Sequence, residues 1–476
     1  MSDYAHLIQS NIWSIFLIVI FFGGSIFVHE LGHFLAARAR GVHVEQFSIG
    51  FGPALFSWRG KDGVEYRLGC LPLGGYVLLP QLADLSALEG KAKTDAETLP
   101  PVGYLSKVIV FVAGAAFNVV FAFLLACVIW QVGQPENLET ATTKIGYVSP
   151  SLELPDGSKI VSPAAEAGLQ VGDVVRAIDG SPVTNWGSLM QVLVTGSGRD
   201  VDGRPKAVFT VERAGASRDI VVHPRLSGED KNRRVGISPG YDLIAYKVAP
   251  GSAGDKAGVL PGDQIVSLAG KPEINAPVFF EEVSAEPAKP LALVVLRAGK
   301  TVSLTLPPRA GLHEGGGIDF TTGTRLTYPS PFDQVAEKFS ITFKTLWGLF
   351  NPHSDIGLSK MSGPVGIVHI FRDAAELGIR AVLAITILIN INLAMINLLP
   401  VPVLDGGHIL FATVGRLRGK ALPVQFILTA QSVFLVLIFS MIIYLSVFDV
   451  RRWARDVELD RAAAAATPPP PAPAKH

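Results

Sequence analysis

Four long apolar runs divide the chain, and each has the length and the low charge of a helix that crosses a membrane. The runs fall within residues 1–40, 105–131, 379–410 and 422–448. Between the second and third runs the sequence is more polar and is rich in strand-forming residues. The pattern therefore predicts a multi-pass α-helical membrane protein with four transmembrane helices and an inserted, strand-rich region.

The segment between the first two runs, residues 41–104, is not a simple loop. Two apolar, glycine-rich stretches cover residues 44–55 and 64–79, and a turn at 59–63 joins them. Because non-helical backbone at membrane depth must be buried in protein or line a cavity, we predict a membrane-associated β-hairpin whose edge can accept an extended peptide. The alternative is a cytoplasmic hairpin with a purely structural role. Residues 81–100 are polar and predict an exposed loop.

An internal repeat lies in the strand-rich region. Residues 162–173 return as residues 252–263, so the copies stand 90 residues apart (252 − 162 = 90), and a glycine turn follows each copy at the same offset. A constant, domain-sized offset indicates two copies of one module. We place the modules at residues 145–225 and 235–308.

Residues 329–378 are predicted to form an amphipathic helix at the membrane interface, followed by a connector. Apolar and charged side chains alternate at helical spacing between Pro331 and Phe350. Glycines and a proline within residues 362–367 break this pattern before the third run. The last residues, 457–476, are rich in alanine and proline and predict a disordered tail.

Composition supports a partly lipid-embedded chain. Hydrophobic residues make up 49% of it and charged residues 17%, whereas about a quarter of the residues in soluble proteins are charged. The 41 basic residues balance the 41 acidic ones, so the totals do not indicate a nucleic-acid partner. The two cysteines have no metal-ligand spacing, and we expect them to be packing residues.

Basic residues near the ends of the runs predict the orientation of the helices. Arg38 and Arg40 follow the first run, and three more basic residues lie between the third and fourth runs. Basic residues prefer cytoplasmic loops. We therefore expect the segment after the first run and the loop between the third and fourth runs to lie in the cytoplasm, and the strand-rich region to lie on the opposite side of the membrane. The arginines after the fourth run depart from this rule. The first run lacks a basic n-region and is too long for a signal peptide, so we expect it to be retained.

A His-Glu-x-x-His motif ends the first run. His29 and His33 stand four residues apart, so on a helix both imidazoles project from one face. Two imidazoles at this spacing suit Zn²⁺, and Glu30 is then free to accept a proton from the attacking water. Ionisable groups within a membrane span are costly, which favours a functional site over two histidines that reach for the lipid headgroups.

A second group of polar residues ends the third run. Asn397 precedes Pro400 and Pro402, which break the helix and free backbone groups that only a polar cavity tolerates. Asp405 follows at the same predicted membrane depth as the histidines, and it would complete a His₂-carboxylate set of the kind found in hydrolytic zinc sites. The alternatives are His408 as the third ligand and Asp405 as a helix-end carboxylate in water.

The second run contains small residues and one asparagine, from Gly114 to Asn118. Small residues allow close helix contact, and an asparagine within a membrane needs a partner. We expect a packing role for this stretch, with a role in positioning the site as the alternative.

Together these features resemble the site-2 protease family of intramembrane zinc metalloproteases, in its bacterial form with two PDZ domains. The resemblance covers nearly the whole chain. It rests on the His-Glu-x-x-His motif, on residues 397–406 and 72–77, and on the repeat, whose modules resemble circularly permuted PDZ domains. One departure is Ala115, where many relatives have proline. A PDZ domain adds an extended peptide to a sheet edge, but this pair would equally serve as a bulky plug.

The resemblance implies a role for each site residue. His29, His33 and Asp405 would bind one Zn²⁺ per chain, and Glu30 would be the general base. A further set would contact the substrate, and two glycines in it would belong to a hairpin strand that pairs with the substrate backbone. This set comprises Asn392, Asn397, Pro400, Pro402, Gly74 and Gly75.

The implied activity is cleavage of single-span transmembrane proteins in the bacterial inner membrane, as part of regulated intramembrane proteolysis. The substrate would be an anti-sigma factor already trimmed by a site-1 protease, or a remnant signal peptide. The active site would lie near the cytoplasmic side and the PDZ domains in the periplasm. Two rival hypotheses are a non-catalytic PDZ scaffold with a vestigial metal site and a metal transporter. The intact catalytic residues disfavour the first, and the single site disfavours the second.

Overall fold

Every apolar run is helical in the computed structural model, which describes residues 2–85, 99–154, 157–227, 232–272, 275–308, 314–351, 354–355, 357 and 361–466. Among these residues, four helical stretches are long and apolar enough to cross a membrane. They are Ile15–Ala39, Tyr104–Val132, Ile379–Asn397 and Val424–Arg455. The four predicted apolar helices are therefore present.

The helices are numbered along the chain. They are α1 (Ser2–Ala39), α2 (Tyr104–Val132), α3 (Pro163–Glu166), α4 (Trp186–Thr195), α5 (Ala253–Ala257), α6 (Ala276–Ala285), α7 (Pro331–Phe350), α8 (Pro364–Leu377), α9 (Ile379–Asn397), α10 (Asp405–Leu417) and α11 (Val424–Ala466). Short 3₁₀ helices occupy Pro80–Leu85 and Glu314–Gly317. Leu82 is buried, so the predicted exposed loop at 81–100 begins with an ordered, partly buried turn, and residues 86–98 lie outside the described residues.

The strands are numbered in the same way. They are β1 (Gln46–Arg59), β2 (Glu65–Leu78), β3 (Gln134–Asn137), β4 (Ile145–Val148), β5 (Ser151–Glu153), β6 (Lys159–Val161), β7 (Val174–Ile178), β8 (Ser181–Pro182), β9 (Ala207–Arg213), β10 (Ala216–Val222), β11 (Arg225–Ser227), β12 (Asn232–Arg234), β13 (Ile237–Pro239), β14 (Leu243–Val248), β15 (Gln264–Leu268), β16 (Lys271–Pro272), β17 (Leu291–Arg297), β18 (Lys300–Leu306), β19 (Ile318–Thr321) and β20 (Thr324–Thr327).

The chain forms two compact units. The first comprises Met1–Gln134, Tyr328–Phe343 and Leu358–His476 and contains all four apolar helices. The second comprises Pro135–Thr327 and Lys344–Gly357 and contains the repeat.

In the first unit, the segment at 379–410 is divided into two helices at the predicted break. Helix α9 ends at Asn397, and α10 begins only at Asp405. Pro400 and Pro402 lie in the turn between them, because proline lacks the backbone N–H that would continue the helix. This break is what allows Asp405 to point in a different direction from the residues of α9.

Two predictions for this unit need correction. Residues 364–377 were expected to be part of a connector, but they form helix α8, whose first residue is Pro364. Proline is well tolerated at the first helical position, so the glycine–proline sequence begins this helix as well as ending the preceding segment. Helix α11 continues to Ala466, so the first ten residues of the predicted disordered tail, 457–466, are helical. Residues 467–476 lie outside the described residues.

Small and branched apolar side chains bring the helices of the first unit together. Ala122 and Ala126 of α2 are fully buried against Ile387 and Ile391 of α9. Because lipid is as apolar as these side chains, close packing rather than exclusion of water holds such helices together, and small residues permit it. Helix α8 adds a second cluster around Phe371, which packs with residues of α1 and α9.

A side chain from another helix caps the N-terminus of α8. Asp449 of α11 is buried, and its carboxylate accepts hydrogen bonds from Gly366 N at 2.8 Å and from Arg452 Nη2 at 3.1 Å. The N-cap residue of α8, Gly363, makes no side-chain cap. Asp449 therefore supplies a hydrogen-bond acceptor that a helix N-terminus needs, and it fastens α11 to α8.

Strands β1 and β2 form the predicted hairpin, but their pairing is more elaborate than a simple two-stranded ladder. The ends of the hairpin pair as expected, with Arg59 opposite Glu65. Residues 46–49 have partners on both sides, since Ile49 is paired with Leu68 and also with Gly75. Residues 75–78 therefore form an outer segment of this sheet, next to residues 46–49.

In the second unit, the repeat is visible as two sets of matching elements. Strand β7 and helix α4 of the first copy correspond to β15 and α6 of the second, each displaced by 90 residues (264 − 174 and 276 − 186). The following strands β9 and β10 correspond to β17 and β18 with a displacement of 84 (291 − 207 and 300 − 216). The second copy is thus six residues shorter in the connection after its helix.

The two copies build separate sheets and separate cores. The first sheet has the strand order β10-β9-β7-β8, and the second has the order β18-β17-β15-β14-β19. Ile178, Leu189 and Phe209 are fully buried in the first core. Their counterparts in the second core are Leu268, Phe279 and Leu293. Strand β19 joins the second sheet, so this sheet extends beyond residue 308, where we placed the end of the second module.

Each copy also contains, at the same position, an ion pair between a buried aspartate and a partly exposed arginine. In the second copy, Arg297 donates to both carboxylate oxygens of Asp263, at 2.8 and 2.7 Å, and Leu260 N donates to the same carboxylate. Burial opposes ionisation, but these hydrogen bonds outweigh it and lower the pKa of Asp263. In the first copy, Arg213 and Asp173 make the same pair, and the pKa of Asp173 is lowered in the same way.

We predict that Asp263→Asn destabilises the second copy at pH 7, because a neutral amide does not replace the carboxylate that accepts hydrogen bonds from Arg297 and from Leu260 N. A lowered carboxyl pKa contributes stability above the pKa of the unfolded chain, and this contribution is lost as the pH falls through the folded pKa. The difference from the wild type should therefore shrink as the pH is lowered from 7. Hydrogen exchange of residues 243–321 in the full-length protein measures it.

Asp173→Asn is the matched control, because it should affect exchange at residues 145–222 instead. If Asp263→Asn accelerates exchange equally in both copies, or if its effect does not depend on pH, the assignment of this stability to the local ion pair is wrong.

We also predict that Asp449→Ala loosens the attachment of α11 to α8, with a loss of about 1 to 2 kcal/mol, the usual cost of removing a helix cap. Asp449→Asn should lose less, because an asparagine oxygen still accepts the hydrogen bond from Gly366 N. Chemical denaturation of the detergent-solubilised protein compares the two. Equal stability of the alanine variant and the wild type would contradict the capping role.

Candidate metal centre

Two histidines near the end of the first apolar helix direct ring nitrogens toward one point. His29 and His33 are buried, and their Nε2 atoms are 3.1 Å apart. Their ring centroids are 4.7 Å apart, with the ring planes nearly perpendicular. The four-residue spacing places the two residues one turn apart on a single face of α1, as the sequence predicted.

Asp405 reaches the same point from a different helix. Its Oδ2 atom is 3.3 Å from His29 Nε2 and 3.5 Å from His33 Nε2. A carboxylate oxygen this close to two imidazole nitrogens is a suitable third ligand for a metal ion.

The three side chains fit the requirements of zinc. Ligands about 2.0 to 2.1 Å from a tetrahedral zinc ion lie roughly 3.3 Å from one another, and the three observed separations bracket this value. The potential ligand atoms of His29, His33 and Asp405 all lie within 4.8 Å of one another. The Oδ2 atom of Asp405 is also buried without a well-formed hydrogen bond, as expected of an atom whose partner is a metal. Two imidazoles and one carboxylate leave a coordination position open for chemistry.

Helix α2 supplies the surface against which both histidines rest. His33 Nδ1 lies 2.8 Å from the backbone oxygen of Val110, and His29 Nδ1 lies 3.2 Å from Asn118 Nδ2. Gly114 lies between these two positions, and a Cβ atom there would overlap the ring of His33 and crowd that of His29. Glycine is therefore required for α2 to approach the histidines this closely.

Glu30 lines a cavity of about 180 Å³ together with His29, His33 and Asp405. The cavity is lined by His29, Glu30, His33, Gly75, Tyr76, Val77, Leu79, Val110, Phe111, Asn397, Val403, Leu404 and Asp405. A Cβ atom on Gly75 would stand 2.8 Å from Glu30 Cγ and 3.0 Å from the backbone oxygen of Ser48. The outer segment of the sheet, residues 75–78, thus passes directly beside Glu30 because residue 75 has no side chain.

The structure places the predicted substrate-contacting residues in two groups. Asn397 and Gly75 line the cavity, and Asn397 Nδ2 is 3.3 Å from His29 Nε2. The others do not belong to the cavity lining: they are Asn392, Pro400, Pro402 and Gly74. The side chain of Asn392 accepts a hydrogen bond from Thr342 Oγ1 at 2.5 Å instead.

His408, the alternative third ligand, lies outside the cluster. Its ring stacks on Phe111 with centroids 5.0 Å apart, and it is buried one turn beyond Asp405 on α10. Asp405, the first residue of α10, contacts the two histidines of α1 instead.

Sequence reasoning underestimated the contribution of α2. The stretch from Gly114 to Asn118 was expected mainly to pack, but it contacts both histidines. The available signal was the helical spacing of Val110, Gly114 and Asn118, which places all three on one face of α2. The backbone oxygen of Val110 carries no signal in the sequence, since every residue has one.

Comparisons with known proteins agree with this geometry. The family model of peptidase family M50 matches residues 17–441. The regulator of sigma-E protease RseP of Escherichia coli (strain K12) is 32% identical over 439 residues, which cover 86% of this chain and 92% of the relative. A protein of Vibrio cholerae that is provisionally named as a zinc metalloprotease is 28% identical over 439 residues, which cover 87% of this chain and 92% of the relative. With its His-Glu-x-x-His helix and its distant aspartate meeting in one cavity, this chain belongs to the metalloproteases of peptidase family M50.

Proposed function

We propose that this protein is a zinc-dependent intramembrane endopeptidase that cleaves single-span transmembrane proteins. The observation that carries the proposal is the meeting of His29, His33 and Asp405 within 4.8 Å of one another, beside Glu30 and among apolar helices. One Zn²⁺ per chain would be held by these three side chains. A peptide bond within a membrane is dry, so its hydrolysis needs both an activated water and a polar cavity at the same depth.

The metal ion, Glu30 and Asn397 each have a separate role in this mechanism. When bound, zinc acts as a Lewis acid that polarises the scissile carbonyl and lowers the pKa of water. Glu30 takes the proton from the attacking water and passes it to the leaving amine, as a general base and then a general acid. Asn397 lines the same cavity, which supports a role for its side chain as a hydrogen-bond donor to the substrate backbone.

The outer sheet segment, residues 75–78, is the proposed site for the substrate backbone. A transmembrane helix must unwind locally before a protease can reach its peptide bonds, and an extended segment is then stabilised by pairing with a strand. Gly75, Tyr76 and Val77 line the cavity, so a peptide paired with this segment would pass the site of hydrolysis. The closeness of Gly75 to Glu30 supports this placement.

The relatives suggest the biological role. The name of the Escherichia coli relative describes a protease that regulates sigma-E. We propose by analogy that this enzyme resides in a bacterial inner membrane, with the metal site near the cytoplasmic side. Its substrate would be an anti-sigma factor already trimmed by a site-1 protease, and remnant signal peptides would be a second class.

We assign the two copies in the second unit as periplasmic PDZ domains that act mainly as a size filter. The support is the repeated arrangement of strands and helices and the position of the repeat in the chain, between α2 and the helices that lead to α9. Both ends of the repeat are thus tied to catalytic helices. Exclusion of a bulky ectodomain needs only size and tethering, whereas peptide capture needs an open groove in one of the modules.

We predict that zinc content and activity separate by residue. Glu30→Gln should retain zinc and lose cleavage, because a glutamine cannot carry the proton. His33→Ala and Asp405→Ala should lose both, because each removes a ligand. Metal analysis of purified protein, together with cleavage of a reconstituted single-span substrate, measures the two properties. Loss of zinc from Glu30→Gln, or its retention by Asp405→Ala, would show that the roles are assigned wrongly.

We predict that replacing residues 145–306 by a short linker leaves Glu30-dependent cleavage intact and allows the enzyme to cut substrates that still carry a folded ectodomain. The comparison is between trimmed and untrimmed versions of the same substrate, with Glu30→Gln in the shortened protein as the control. If the shortened protein folds and binds zinc but cuts only trimmed substrate, or cuts neither, the modules are not a size filter and a recruiting role gains support.

A further inference from the structure

Asn118 is a buried polar side chain whose only hydrogen-bond contact among the described residues is a histidine of the metal centre. It is fully buried in the middle of α2, and its amide nitrogen Nδ2 is 3.2 Å from His29 Nδ1. Its amide oxygen Oδ1 is buried and has no hydrogen-bond partner in the described part of the chain. An unsatisfied buried oxygen is costly in an apolar bundle, so the arrangement of this amide needs an explanation.

The histidine nitrogens are not equivalent in this site. Both Nε2 atoms face each other and Asp405, so these are the nitrogens available to a metal. A nitrogen that binds a metal must be unprotonated, which leaves the proton of each neutral imidazole on Nδ1. For His33 this proton has an acceptor, the backbone oxygen of Val110 at 2.8 Å.

For His29 the corresponding acceptor must come from Asn118. With Nδ2 directed at His29, two donors would face each other once Nδ1 carries its proton, and Oδ1 would remain unsatisfied. Rotation of the amide by half a turn exchanges two atoms of similar size and places Oδ1 against the Nδ1 proton. One rotation therefore removes both conflicts without moving either helix.

We propose that Asn118 is a positioning residue that accepts a hydrogen bond from His29 Nδ1–H and so holds His29 in the tautomer whose Nε2 binds zinc. This inference rests on the proposed function, because it takes His29 as a ligand. Val110, Gly114 and Asn118 follow one another at four-residue intervals, so one face of α2 orients both imidazoles while Gly114 makes room for them.

The two histidines differ in a way that makes the proposal testable. The acceptor for His33 is a backbone oxygen, which substitution does not remove. The acceptor for His29 is a side chain, which substitution does remove. Partners of this kind usually contribute 10- to 100-fold to metal affinity.

The first experiment measures zinc affinity by competition with a chelator, using the full-length protein in detergent. Asn118→Leu retains the approximate size of the side chain and removes the acceptor, and it should weaken zinc binding by about 10- to 100-fold. Asn118→Asp retains an oxygen at this position, and its affinity should be close to that of the wild type or higher. Rescue by aspartate is the result that a simple packing role would not give.

Asn390→Leu is the matched control. Asn390 is equally buried in an apolar helix, but its amide donates to Ser25 Oγ and to the backbone oxygen of Thr386 rather than to a histidine. Its replacement should lower stability while leaving zinc affinity within about two-fold of the wild type, well short of the change expected at Asn118.

The second experiment needs no variant and so does not depend on the folding of a mutant. Nitrogen-15 chemical shifts of labelled histidines in the zinc-loaded wild type report which ring nitrogen carries the proton. The proposal predicts a proton on His29 Nδ1 in a hydrogen bond.

Three results would overturn the proposal: zinc affinity of Asn118→Leu equal to that of the wild type, equal losses in Asn118→Leu and Asn118→Asp, or a proton on His29 Nε2. These results are distinct from a failure of the proposed function, which would appear as a wild-type protein that binds no zinc at all.

Discussion

The first unit depends on holding two imidazoles and a carboxylate together inside a bundle of apolar helices. Each of these groups is expensive to bury in an apolar medium unless a partner compensates for the loss of water. Three residues on two helices act as partners of the histidines: Asp405 on α10, and Val110 and Asn118 on α2. Because the contacts are short, the positions of α1, α2 and α10 are constrained together, and glycine at residue 114 permits the required approach.

Two stretches of non-helical backbone border the same site. The turn between α9 and α10 contains Pro400 and Pro402, and Asp405 starts the helix that follows and reaches the histidines of α1 with its carboxylate. The sheet of β1 and β2 places its outer segment beside Glu30, where only glycine fits. Both features border the same cavity, so their polar backbone groups lie in protein or at the cavity rather than in lipid.

The second unit is stabilised in a different way, because each of its modules has its own apolar core, as a soluble domain does. The two copies preserve the positions that define a module: the core residues, the helix caps at Ser162 and Ser252, and the buried aspartate–arginine pairs. Their spacing changes from 90 to 84 only in the connection after the helix, where a change of length costs little. Local packing therefore maintains each module separately, and a module can persist while its connections vary.

The sequence by itself determined the four apolar helices, the repeat and the residues of the metal centre on α1, because each of these depends on spacing along one stretch of chain. Two histidines four residues apart share a helix face whatever surrounds them. The tertiary structure decided which candidate groups from distant stretches meet them: it selected Asp405 over the alternative, His408, and brought Asn118 to His29. Residues 405 and 118 are far from the histidines in sequence, and the turn after α9 and the close approach of α2 bring them there. Asn392 and Asn397 looked alike in the sequence, yet only Asn397 lines the cavity, because the end of α9 and not its preceding turn reaches the metal centre. Which side chains line the cavity depends on packing between helices, and the spacing of residues within one helix does not predict that packing.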